Sequence, residues 1–96
     1  MSAYLIVETE ITAPEQYAQD KAASPGAIAA GGGRCLVRGG EMAVLEGDWR
    51  PSRLVVVEFP DLEAAKTFYE SDEYQAAIKL REGAANLNMV AVQGVD

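Results

Sequence analysis

The sequence predicts an α+β domain: an antiparallel, ferredoxin-like sheet with two helices on one face. Three observations carry this. Compact apolar runs rich in strand formers, YLIVE near the start and RLVVVEF in the middle, alternate with amphipathic helical segments. Glycine clusters punctuate the stretch from Gly31 to Pro60, where short strands follow one another without an intervening helix. The resulting order is strand, helix, three strands, broken helix, strand, within 96 residues, which is the size of one core, so residues 1–96 form a single domain.

Tyr4 to Glu8 is the first strand. Thr12-Ala13-Pro14-Glu15 then reads as a capping box, the Thr12 hydroxyl accepting from the Glu15 amide and the Glu15 carboxylate reaching back. The helix that follows puts Tyr17, Ala18, Lys21 and Ala22 on one face. Ser24-Pro25 is expected to break it, since proline disfavours helical geometry in the residue before it. Ser24 would cap a second segment through Ile28. Gly31 to Gly33 end that segment as a C-cap; the competing reading, an anion nest, lacks the Lys-Ser/Thr and following helix of a phosphate loop.

Arg34 to Arg38 is the second strand. Gly39-Gly40 turns tightly into a third, Met42 to Leu45, and the longer turn around Gly47-Asp48-Trp49-Arg50-Pro51-Ser52 leads to a fourth, Arg53 to Phe59. Trp49 is expected to pack across a dimer or over the end of a barrel. Asp61 caps a helix whose buried stripe is Leu62, Ala65, Phe68 and Tyr69. Ser71-Asp72 interrupts it and starts a second segment with Tyr74, Ala77, Ile78 and Arg81 on one face. Gly83 ends that segment, and Asn86 to Val92 is the last strand.

Side chains alternate along a strand, so each strand sorts into two sets. Leu5, Val7, Cys35, Val37, Val55, Val57, Phe59, Leu87, Met89 and Ala91 form a wholly apolar set, assigned to the helices. Tyr4, Ile6, Glu8, Arg34, Leu36, Arg38, Leu54, Val56, Glu58, Asn88, Val90 and Val92 form a mixed set with no helix to cover it. A bulge in any strand would reverse its sets beyond the bulge. A face this apolar marks an interaction surface, and the same face of a second copy would cover it by two-fold symmetry.

The mixed face holds the candidate site. Arg34 and Arg38, roughly 13 Å apart by strand rise, suit a carboxylate or phosphate held bidentately. Their alternative role is to pair with Glu8 and Glu58 across the sheet. Tyr4, Asn88 and Glu58 complete the ligand-binding candidates. Glu58, ending an apolar strand, is the candidate catalytic base of an enzyme reading.

Composition excludes several classes. Eight basic against 15 acidic residues give a charge of −7, which a nucleic-acid backbone would repel. With no histidine and one cysteine, Cys35, there is no intramolecular disulfide and no histidine-liganded haem or zinc, and no cofactor is expected. The only metal chemistry left is a hard-cation site from Glu8 and Glu58. The first residues lack the basic region of a signal peptide, and no apolar run approaches the ~20 residues that span a bilayer. A cytoplasmic protein with no membrane partner is expected.

The segments AYLIVE, GGRCLVRGGE, LEGDWRPSRLVVVEFP and ESDEYQ resemble the family known as domain of unknown function 1330, of the dimeric α/β-barrel superfamily. The resemblance runs over essentially the whole chain. It implies the fold and a two-sheet barrel dimer, but no activity. The expected function is therefore a homodimer that binds a small anionic or polar metabolite in the barrel. The alternative is a cofactor-independent monooxygenase or isomerase, as some superfamily relatives are, with Glu58 as base. A charge placed at Val56 is expected to split the dimer and lower stability together. A monomer mass for the unsubstituted chain in light scattering at micromolar concentration overturns that expectation.

Overall fold

The computed structural model describes residues 1–95, and of residues 19–23 the backbone alone. Four strands and three helices follow in the order β1 (Ala3–Ile11), α1 (Pro14–Ala30), β2 (Arg34–Arg38), β3 (Leu54–Phe59), α2 (Leu62–Glu70), α3 (Asp72–Leu80) and β4 (Ala85–Gln93). The strands form one antiparallel sheet in the order β2-β3-β1-β4, with the helices on one face. β1 and β3 are central because they carry the densest aliphatic runs. The shorter β2 and the asparagine-bearing β4 lie at the edges.

Leu5, Val7, Val57 and Phe59 meet Ala65 and Phe68 of α2 and Tyr74 and Ala77 of α3 in the core. Its centre is a run of three rings: Phe59 to Phe68 at 5.1 Å between centroids, and Phe68 to Tyr74 at 4.4 Å. Of the stripe expected on α2, Tyr69 is exposed rather than buried. The Asp61 carboxylate accepts from the Ala64 amide at 2.7 Å and the Ser71 hydroxyl accepts from the Tyr74 amide at 3.2 Å, so both expected caps form.

Three expectations for the first half of the chain fail. The capping box is absent: Ala13 occupies the N-cap, and Thr12 donates instead to the Gly83 carbonyl at 3.4 Å, tying α1 to the turn before β4. The chain does not break at Ser24-Pro25, and α1 runs through Pro25 as one helix. A proline inside a helix costs about 3 kcal/mol in local terms. Here the turns beyond it are held by tertiary packing, with Ala27 buried and Ile28 against the core. Of the four residues expected on one face of this helix, Tyr17 is buried and Ala18 exposed, while Lys21 and Ala22 lie outside the described side chains. Met42 to Leu45 is not a strand, so Gly39-Gly40 opens a long exposed connection instead of a hairpin. The outer edge of β2 stays unpaired, and among the described residues none from 40 to 52 makes a backbone hydrogen bond to it.

Gly31 caps α1, its amide donating to the Ala27 carbonyl, as the triple glycine suggested. Gly33 is required for space. A Cβ there would stand 2.9 Å from the Phe59 ring, itself fully buried, and 2.9 Å from Ile28 Cγ2. We expect Gly33→Ala to destabilise the fold by about 1–3 kcal/mol through overpacking. Gly26→Ala, in the exposed interior of α1 with nothing within 4 Å of its Cβ, should stabilise it by about 0.5–1 kcal/mol. Urea unfolding checks both signs.

Candidate functional site

The pairing of β2 with β3 decides where the arginines go. Arg34 lies opposite Glu58 and Cys35 opposite Val57, but Val37 then lies opposite Val56 and Arg38 opposite Val55. One residue, Leu36, is extra: a β-bulge in the edge strand. Residues opposite one another in an antiparallel pair share a face. Arg34 therefore stands on the open face with Glu58, and Arg38 on the helix face with Val55. The shared site expected of Arg34 and Arg38 does not exist in this register. Val37 likewise changes sides and joins the open face.

On the open face Arg34 Nη2 donates to Glu58 Oε1 at 2.7 Å. The ion-pair role left open for Arg34 is the one the geometry takes up. Tyr4 is opposite Glu58 on β1. Asn88 lies two rows away, opposite Glu8, and its side-chain amide donates to Glu8 Oε1 at 3.1 Å. Trp49 Nε1 donates to Glu8 Oε2 at 2.9 Å, which anchors the 39–53 connection to this face. Glu8 pairs with Leu54 while Glu58 pairs with Tyr4. The two carboxylates are thus four strand positions apart, about 13 Å by strand rise, and do not share a cation. Among the described residues no group of three or more acidic or cysteine side chains gathers to hold a metal. Between these two ends runs an aliphatic row, Val37, Val56, Ile6 and Val90.

The helix face carries the other candidate. A cavity of about 140 Å³ lies between α1 and the end of the sheet where β3 begins. Arg38, Arg53, Thr9 and Cys35 line it from the sheet side, and Tyr17, Tyr74 and Arg81 from the helices. Thr9 and Arg53 are neighbours across β1 and β3, the Thr9 amide donating to the Arg53 carbonyl at 2.9 Å. Arg38, opposite Val55, is diagonal to Arg53 on the same face. Gly39 adopts a positive φ of 65°, and a Cβ there would sit 2.7 Å from Arg53 Nε. A glycine at that turn therefore leaves room for the arginine stem.

Two features distinguish the polar wall of this cavity. Neither Arg38 nor Arg53 has an ion-pair partner among the described residues. The Thr9 hydroxyl is buried, 1% exposed, with no hydrogen-bond partner among the described residues. A buried polar group left unpaired costs on the order of 1–3 kcal/mol. On the far wall Arg81 is buried and donates to the Tyr74 hydroxyl at 2.9 Å, its guanidinium 5.5 Å from the Tyr74 ring centre. Arginine forks, hydroxyls and an apolar lining together match a small molecule with an apolar body and an anionic head.

Sequence reading reached Arg38 but put it on the wrong face, and it missed Thr9 and Arg53. Both were legible. Thr9 continues the Leu5, Val7 alternation into the inner set, and Arg53 shares the parity of Val55, Val57 and Phe59. The bulge at Leu36 carries no comparable signal.

The chain belongs to the family described as domain of unknown function 1330, which matches residues 2–95. No curated protein matches it. Among solved structures it is similar to a protein of unknown function from Rhodopseudomonas palustris, with 17% identity and a TM-score of 0.73 over 99% of this chain and 83% of that one. It is also similar to SnoaB, a cofactor-independent oxygenase from Streptomyces nogalater, with 11% identity and a TM-score of 0.70 over 99% and 94%. A third is a dimeric protein of unknown function and ferredoxin-like fold from Bacteroides fragilis, with 13% identity and a TM-score of 0.59 over 97% and 96%. These likenesses establish the ferredoxin-like fold. Among the described residues no helix is long and apolar enough to cross a membrane.

The orphaned hydroxyl makes a prediction of definite sign. Thr9→Val keeps the side-chain shape and removes the unpaired group, so the ligand-free protein should become more stable by about 1–3 kcal/mol. Thermal unfolding without added ligand reads this. An equal loss of stability would mean that the hydroxyl already has a partner.

Proposed function

We propose that this protein is a homodimeric binding module for a small metabolite with an apolar body and a carboxylate or phosphate head. The head would be held by Arg38 and Arg53 in the cavity between α1 and the sheet. What supports this reading above all is the meeting on one wall of a buried hydroxyl with an exposed Arg38 and a half-buried Arg53, none of which has a hydrogen-bond or ion-pair partner among the described residues. In a chain of net charge −7, long-range attraction does not favour an anion, so affinity must come from these local contacts. The size is suitable as well. A volume of 140 Å³ is close to the about 150 Å³ cavity that accommodates a benzene ring.

The homodimer is supported by the uncovered face. Its aliphatic row has no helix over it, and the Bacteroides fragilis protein of the same fold is described as dimeric. Glu58 is a poor base for a molecule in the cavity, because it lies on the opposite face of the sheet and is paired to Arg34. The oxygenase or isomerase alternative therefore draws no support from that residue.

Thermal unfolding against benzoate, hexanoate and inorganic phosphate tests the binding reading. We expect at least one of the two carboxylates to raise the melting temperature of the unsubstituted protein, and the Arg38→Ala, Arg53→Ala double variant to lose the shift. Arg34→Ala should keep it. A shift lost in Arg34→Ala and kept in the double variant would move the site to the open face.

A further inference from the structure

The segment between Arg38 and Arg53 behaves unlike the rest of the chain. From Gly39 to Arg50 every residue is exposed. Among the described residues, none from 40 to 52 takes part in a backbone hydrogen bond. Yet residues 42–45, Met-Ala-Val-Leu, have the composition of a strand. Leu45 is 92% exposed, with Met42, Val44 and Trp49 also open to solvent. Trp49 fastens the base of the segment over the open sheet face through Glu8.

We propose that this segment is a dimerisation arm for a second copy of the chain, and that its docking is coupled to anion binding. The second half rests on the cavity reading above. A second copy is the occupant that fits. The arm extends the same uncovered face that carries Val37, Val56, Ile6 and Val90, so its apolar tip meets an aliphatic row of matching character across a two-fold axis. Each arm then covers the other copy's open face, and its unpaired amides gain partners on docking.

The coupling follows from where the arm is rooted. Arg38 immediately precedes it and Arg53 immediately follows it, and both line the cavity. A bound anion fixes the two guanidinium groups, and with them both roots of the arm. Docking orders the same segment from its tip. Each event lowers the conformational entropy that the other must remove. By linkage the effect is reciprocal: anion tightens the dimer by the same factor by which dimerisation tightens the anion.

Leu45→Asp tests both halves, because a residue 92% exposed can take a charge without disturbing the core. Sedimentation velocity should give a dimer for the unsubstituted protein and a monomer for the variant. Hydrogen exchange should show amides 42–45 protected in the first and open in the second. Calorimetric titration with benzoate should give about fivefold or greater weakening in the variant, and benzoate should tighten the unsubstituted dimer by an equal factor. A variant that stays dimeric overturns the arm. A monomeric variant with unchanged benzoate affinity overturns the coupling and leaves the cavity reading standing. An unsubstituted protein that binds no benzoate overturns the coupling together with that reading, and exchange at 42–45 then decides the arm alone.

Discussion

The structure depends on one constraint: a four-stranded sheet has two faces, and the helices here cover only one. The inner face has enough aliphatic and aromatic surface to build the core, with Val57, Phe59 and Phe68 almost completely buried. Both central strands are therefore committed to that side. The outer face receives what the alternation leaves it, which is aliphatic in the middle and charged at the ends. Pairing Arg34 with Glu58, and Glu8 with Asn88 and Trp49, satisfies the ends. Among the described residues no helix covers the middle, and the proposed dimer would bury it there.

Within that frame one extra residue divides the charges. Without the bulge at Leu36, Arg34 and Arg38 would share the outer face, close enough to the two glutamates to be spent on ion pairs. With it, Arg38 goes to the helix-bearing face beside Arg53, where both line the cavity and Arg38 stays exposed. A bulge disrupts the ladder locally and is tolerated at an edge strand, where one side is already unpaired. In return the inner face acquires two guanidinium groups at the mouth of an apolar cavity, in a chain where acidic residues outnumber basic ones by 15 to 8. The Thr9 hydroxyl lies on the same wall, so the inner face is packed at one end and lined with polar groups at the other.

Much of this fold was legible because local signals and global packing agree. The alternation in β1 and β3, the Asp61 and Ser71 caps, and the glycines ending α1 all have physical roles the structure retains. The failures share a cause, which is tertiary context overriding a local preference. Pro25 opposes the helix locally, yet Ala27 and Ile28 hold the turns beyond it. Thr12 is a good capping residue, but the Gly83 carbonyl competes for its hydroxyl. Met42 to Leu45 has strand-forming residues, yet it leaves the free edge of β2 unpaired. The site suffered most, since a single bulge inverts every face assignment after it, and register is set by pairing rather than by composition.

The central claim is that an anion binds on the helix face, held by Arg38 and Arg53, and not on the open face at Arg34. The most direct test is a titration of isotopically labelled protein with benzoate, followed through the arginine side-chain Nε–H signals and the backbone amides by NMR. The account predicts that Arg38 and Arg53 Nε–H and the Thr9 amide shift together along one binding curve, while Arg34 stays in place. Movement of Arg34 and the amides of Tyr4 and Glu58, with Arg38 and Arg53 unmoved, would contradict it.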